Sequence, residues 1–403
     1  MTSRAQGPLA GVRVLELGSM YAAPTCGRML RDFGAAVVKV EDPAAGDYAR
    51  QWTPMKSGQS FGFARLNSGK RSVAIDLRTE EGHELVRRLA SEVDVIIENF
   101  RPGRMDAWGL GYEALSSINP GLVMTSVSGF GQFGPDRSKP GFGTVAETGS
   151  GFAFINGWPD TPPTSPPFGF ADSIAGIAAA MGTAMSLYRR ERTGQGDQVD
   201  VALYEPLMFI VGDMIMNYTG TGFVQGRVGN GTGSASPRGV YRASDGNWLS
   251  IAGSNQVIAR RLFAAMGQPE LIENPRYATN AVRMKHNDEL QALVTGWVSE
   301  RPRDEILKIL DEHEVVCSQV NDASDIVQDP HYLERTLVEL SGSEALGRVL
   351  MPGPVVHLRE YDGPGYDGVP NVGQHTDEVL TQLLGLDDSA LEKLATAGVI
   401  GRG

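Results

Sequence analysis

Short runs of β-branched residues alternate with helix-like stretches through the first two hundred positions. Val12 to Leu17 reads as a strand, ended by Gly18 and followed by a helix over Pro24 to Phe33. AVVKVE, Ala36 to Glu41, is a second strand, and Ser72 to Leu77 a third. Thr79 then opens a helix whose first turn carries Glu80 and Glu81, where the helix dipole favours anions. Strands recur at Asp94 to Glu98, Leu122 to Val127 and Gln198 to Leu203. Such alternation predicts a parallel sheet joined by crossover helices. Gly141 to Phe170 is rich in glycine and proline. Asp172 stands directly before a long helix expected to run to about Arg190 and to close at Gly194 and Gly196. Met208 to Tyr218 reads as one connecting helix.

The pattern changes near Gly222. A glycine-rich run, VGNGTGSASP, precedes two short strands at Gly239 to Arg242 and Trp248 to Ala252, after which helices dominate. Glu300 to His313 is amphipathic, with Pro302 at its start. Beyond Pro330 come strand-like pieces and turns, then one or two closing helices. The expected fold class is α/β.

At 403 residues the chain exceeds one ordinary core, so two or more domains are expected. The formal charge of −12 argues against nucleic acid or an anionic membrane surface as partner, while leaving room for a local basic pocket. Cys26 and Cys317 are far apart in sequence, and the six histidines form no HxH or HExxH pattern. Neither a disulfide framework nor a metal site is expected. Met1 to Leu9 lacks an apolar signal core. The most apolar stretch, Ile174 to Tyr188, reads as a buried helix, which makes a cytoplasmic protein the expectation. LGSMYAAP after the first strand is no G-x-G-x-x-G, and no G-x-S-x-G elbow occurs, so dinucleotide and serine-hydrolase chemistries are disfavoured.

Three features carry candidate chemistry. Asp172 suits a helix N-cap first, a reading compatible with a carboxylate nucleophile kept ionised by a helix terminus. Lys39, Lys70, Arg71, Arg101 and Arg104 follow predicted strands or loops, where open α/β sheets bind ligands, and a phosphate-rich ligand accounts for the set. The run Gly229, Asn230, Gly231, Thr232, Gly233 is either a connector or a lid.

These motifs resemble the class III CoA-transferases, the CaiB–BaiF family. The likeness rests on GVRVLELG, GAAVVKVEDPAAGD, LNSGKRSVAIDL, DVIIENFRPG, INPGLVMTSVSGFGQFGP, DSIAGIAAAMG, GQGDQVDVALYE and PNVGQHTDEVL, in order along nearly the whole chain. It implies an interlocked homodimer with a Rossmann-like large domain and a smaller α+β domain. Residues 1–205 would start the large domain, 206–224 link it to a small domain at 225–330, and 331–403 return to it. The resemblance makes Asp172 the nucleophile. It gives CoA contacts to Lys39, Lys70, Arg71, Asn99, Phe100 and Arg101, and lets the 229–233 loop close over the intermediate. CoA and acyl-CoA enter as substrates, with no permanent cofactor. Tyr21 and Gly143 stand where formate- and oxalate-handling members carry glutamine and glutamate, which disfavours formyl and oxalyl transfer. Tyr21, Phe142 and the Met208–Met216 stretch are expected to make the acyl pocket fairly apolar. Gly141-Phe142-Gly143 lacks the histidine of the family's racemases. The alternatives to transfer between acids are an acyl-CoA isomerase or racemase, and CoA transfer within one diacid.

Overall fold

Six strands build the main sheet: β1 Arg13–Glu16, β2 Ala36–Glu41, β3 Arg71–Ile75, β4 Val95–Glu98, β5 Val123–Ser128 and β6 Asp197–Ala202. In the computed structural model, which describes residues 6–361 and 363–403, all six run parallel. They lie in the order β3-β2-β1-β4-β5-β6, and Ile400–Gly401 closes the β3 edge antiparallel, opposite Ile75 and Ala74. The strands match the predicted ones to within two residues at each end.

Parallel strands are covered on both faces, so their residues are apolar in succession rather than in alternation. Neighbours along a strand still point opposite ways. Leu15, Val38, Val40, Val73, Ile75 and Ile96 pack on one side, with Leu85, Val86 and Leu89 of helix Glu80–Ala90 and with Leu380 and Leu391 near the C-terminus. Val14, Val37, Val95, Ile97 and Val123 face the other side, against Cys26 and Leu30 and against Ala175 and Ala179. That second layer holds α1 Ala22–Asp32. The helix Glu80–Ala90 is α2, with Thr79 as its N-cap accepting from the Gly82 N–H. Further on come α3 Gly143–Gly149 and α4 Phe170–Thr193.

The predicted helix over Met208 to Tyr218 is two helices, α5 Glu205–Ile210 and α6 Gly212–Thr221. Val211 leaves helical geometry as the cap of the first, and the second restarts at Gly212.

The chain divides into two compact units. One comprises the segment ending at Phe152, Pro166–Gly212 and Pro330–Gly403; the other comprises Ala153–Ser165 and Asp213–Asp329. In the second, β7 Arg238–Arg242, β8 Trp248–Ala252 and β9 Cys317–Gln319 form an antiparallel sheet in the order β9-β8-β7. Leu249 and Ile251 meet Leu262, Phe263, Val294, Ile306 and Leu310 in its core. The strand β9 was not foreseen, since three residues are too few to display a period.

Candidate active site

Asp172 lies inside the first turn of α4 rather than before it. The helix starts two residues early at Phe170, with Gly169 as an N-cap that makes no side-chain hydrogen bond. The N-cap reading of Asp172 is thereby corrected. Its carboxylate instead accepts from its own N–H and from that of Gly143. Burial pushes Asp172 up to about 6, and the Glu147 carboxylate adds to the rise, while the two backbone donors oppose it. Gly143 is needed for this contact: a Cβ there would collide with Asp172 Oδ2.

A cavity of about 440 Å³ opens at Asp172. Tyr21, Asn99, Phe142, Gly143 and Glu147 line it, as do Ser128 and the Pro166–Gly169 turn. It sits at the carboxyl ends of the parallel strands, where the turns after β1 and β4 bring Tyr21 and Asn99 to Ser128, the last residue of β5. Two of those turns are tied to each other, since Asn99 accepts from the Ser19 N–H at 2.9 Å and donates to the Ser19 carbonyl at 2.8 Å. Glu98, almost wholly buried, accepts from the Phe100 N–H at 2.8 Å and so shapes the turn that presents Asn99. Burial pushes Glu98 up to about 7. Met20 adopts a φ of 68°, a costly geometry for a non-glycine residue, and its N–H donates to Asp47 at 3.0 Å. Tyr21 stacks on Trp52 with ring centres 4.9 Å apart.

The basic residues do not form one patch. Lys39 and Lys70 are fully enclosed, and both reach Glu16 at the end of β1, at 3.0 and 2.7 Å. Lys39 also pairs with Asp47 at 2.8 Å. Burial alone would lower the Lys39 ammonium, but Glu16 and Asp47 outweigh it and hold it above the usual lysine range. Burial wins at Lys70, which is pushed down to about 8. Both ammonium groups are paired inside the protein, tying β1, β2 and the entry to β3 together, while Lys39 also borders the cavity at Phe100 and Lys70 the cleft at Arg71. Arg71 donates to Gln382 at 2.9 Å and lines a separate cleft with Gln374 and His375. Phe100 borders a smaller cavity of about 220 Å³ with Ser19, Asp42, Arg78 and Trp108. Arg104 lies over the Trp108 ring at 5.5 Å, and Arg101 donates to the Ser138 carbonyl at 2.9 Å.

The 229–233 run belongs to the second unit. Gly229, at φ 64°, donates to the Gly157 carbonyl at 2.9 Å, and a side chain there would strike Trp158. Asn230, Gly231 and Gly233 continue the same surface loop.

A family model described as CoA-transferase family III matches residues 9–376. The chain belongs to CoA-transferase family III. This CoA-transferase is 41% identical over 401 residues to succinyl-CoA–D-citramalate CoA-transferase of Chloroflexus aurantiacus, covering 99% of this chain and 100% of the relative. The β subunit of succinyl-CoA–L-malate CoA-transferase from the same organism is 35% identical, with 98% of each chain covered. Human succinyl-CoA:glutarate CoA-transferase is 31% identical over 98% of this chain and 90% of its own. Among solved structures, a CaiB/BaiF family protein from Brucella suis superposes with a TM-score of 0.83 at 33% identity, covering 94% of this chain and all of that one.

Among the residents of this CoA-transferase's cavity that sequence reasoning missed, Glu147 is the one with titratable chemistry. The signal was present: Glu147 follows Gly143 by four positions, and such pairs share one face of a helix. The short, small-residue α3 hid it, because its seven residues look like part of the preceding glycine-rich loop. Ser128 and the Pro166–Gly169 turn carried no comparable signal, and only the meeting of distant turns brings them to Asp172.

Proposed function

We propose that this CoA-transferase moves CoA from a succinyl-CoA-type donor to a short dicarboxylic acid through covalent intermediates on Asp172. The observation that carries the reading is the Asp172 carboxylate itself, set in a cavity wall and braced by the Gly143 N–H. Attack on the thioester carbonyl forms an acyl-aspartyl anhydride and expels CoA thiolate. The thiolate then attacks the aspartyl carbonyl, releasing the donor acid and leaving an aspartyl-CoA thioester. The acceptor carboxylate attacks that thioester to give a mixed anhydride, and the returning thiolate takes the acceptor acyl group and frees Asp172. Each step exchanges one acyl bond for another, so the protein's task is to position groups and stabilise oxyanions. A carboxylate of raised basicity is a better nucleophile than an ordinary aspartate, provided the pH keeps it ionised. The choice of acids follows relatives named for succinyl-CoA with citramalate, malate or glutarate.

The working enzyme in this proposal is an interlocked homodimer. Ile177, Met181, Met185 and Tyr188 support it, because they leave an exposed apolar stripe on the outer face of α4 that a second copy would cover.

The deciding experiment incubates the enzyme with succinyl-CoA, traps with hydroxylamine or borohydride, and maps the modified peptide. Modification at Asp172, absent in Asp172→Ala, is the expected result. No adduct, together with α-proton exchange from deuterium oxide, would move the assignment to an isomerase.

A further inference from the structure

The reaction scheme leaves Glu147 without a task. Its side chain is 2% exposed, yet it lines the same cavity as Asp172. Among the described residues, the one hydrogen bond to its carboxylate is a long contact of 3.4 Å from the Ala171 N–H. No lysine, arginine or histidine stands among the residues lining the cavity beside the pair of carboxylates. A carboxylate out of water with only one long donor is expensive, and a further donor brought to it lowers that cost.

The chemistry of the bound acid narrows what that donor is. A second carboxylate of the substrate at this spot would meet two like charges. A methylene there would keep Glu147 desolvated and unpaired. A hydroxyl fits, since O–H to carboxylate is among the stronger hydrogen bonds and adds no charge. Resting on the Asp172 reading above, we propose that Glu147 selects acids bearing a hydroxyl close to the carboxyl that receives CoA, by accepting a hydrogen bond from that hydroxyl. The distal carboxylate of such an acid then points away from Glu147. Succinate released from the donor lacks the hydroxyl, so the aspartyl-CoA enzyme is captured by a hydroxy acid faster than by returning succinate. Sites built to bind a hydroxyl reject the analogue without it far more strongly than apolar pockets reject a missing methylene, because their polar group is left unpaired.

The test uses malate and succinate, which differ by that one hydroxyl. The enzyme is charged with succinyl-CoA, the Asp172 adduct is confirmed by trapping, and its discharge by each acid is timed. The wild type is expected to favour malate in kcat/KM by about tenfold or more, the worth of one charge-assisted hydrogen bond. Glu147→Gln, which keeps the shape but loses the charge, should shrink the preference severalfold. Glu147→Leu should bring it close to one while the adduct still forms. An adduct at Asp172 with a malate preference unchanged in both variants, or absent from the wild type, overturns the role of Glu147 alone. No adduct in the wild type overturns the Asp172 reading and this inference with it.

Discussion

Asp172 feels opposing influences within a few ångströms. The helix terminus and the Gly143 N–H favour its charge, while burial and Glu147 disfavour it and win. Because the folded value of about 6 exceeds the ordinary 3.8, ionising Asp172 costs stability. That cost is absent below about pH 4 and complete above about pH 6. Asp172→Asn should therefore abolish transfer yet raise the melting temperature at pH 7 by about 1–3 °C, with the gain vanishing near pH 4 in paired thermal scans. In the wild type, kcat/KM should fall as pH drops through about 6. Glu147→Gln removes the neighbouring negative charge, so the same acid limb should move to lower pH. Gly143→Ala puts a methyl where Asp172 rests and should cut kcat at least tenfold, with CoA affinity by calorimetry nearly unchanged.

At the scale of elements, two close fits decide how the site is held. Gly176 of α4 faces α1, and a Cβ there would lie 2.6 Å from Thr25 Cβ and 2.7 Å from the Ala22 carbonyl oxygen. Gly176→Val should push α4 and its Asp172 off α1, costing about 1–3 kcal/mol in urea unfolding. The second fit is the buried charge cluster at the ends of β1 and β2. Lys39→Met leaves Glu16 with one partner fewer and Asp47 without its lysine, and should destabilise by about 3–5 kcal/mol, read by the same method. A phosphate-binding lysine would instead weaken CoA binding and leave stability alone. Strand periods were legible because burial on both faces demands apolar runs such as Val95-Ile96-Ile97. The roles of the lysines were not, because a lysine after a strand looks the same whether it meets solvent or a buried glutamate.

For the whole molecule, the exposed stripe on α4 makes assembly testable. Met185→Glu should reduce the mass measured by light scattering to that of one chain, with loss of transfer, if the homodimer is the working form. The amino-acid sequence by itself determined the strand and helix order, the parallel sheet that such an order requires, the family, and Asp172 as the candidate nucleophile. Each of these is local, written in period, caps and contiguous motifs. Tertiary structure alone decided that Lys39 and Lys70 pair with Glu16, that Arg71 lines a cleft other than the one at Asp172, and that Glu147 joins Asp172 in one cavity. Those outcomes depend on which turns meet at the sheet's carboxyl edge and on whether a charge finds a buried partner. Both are properties of residues far apart in the chain, and no local pattern encodes them.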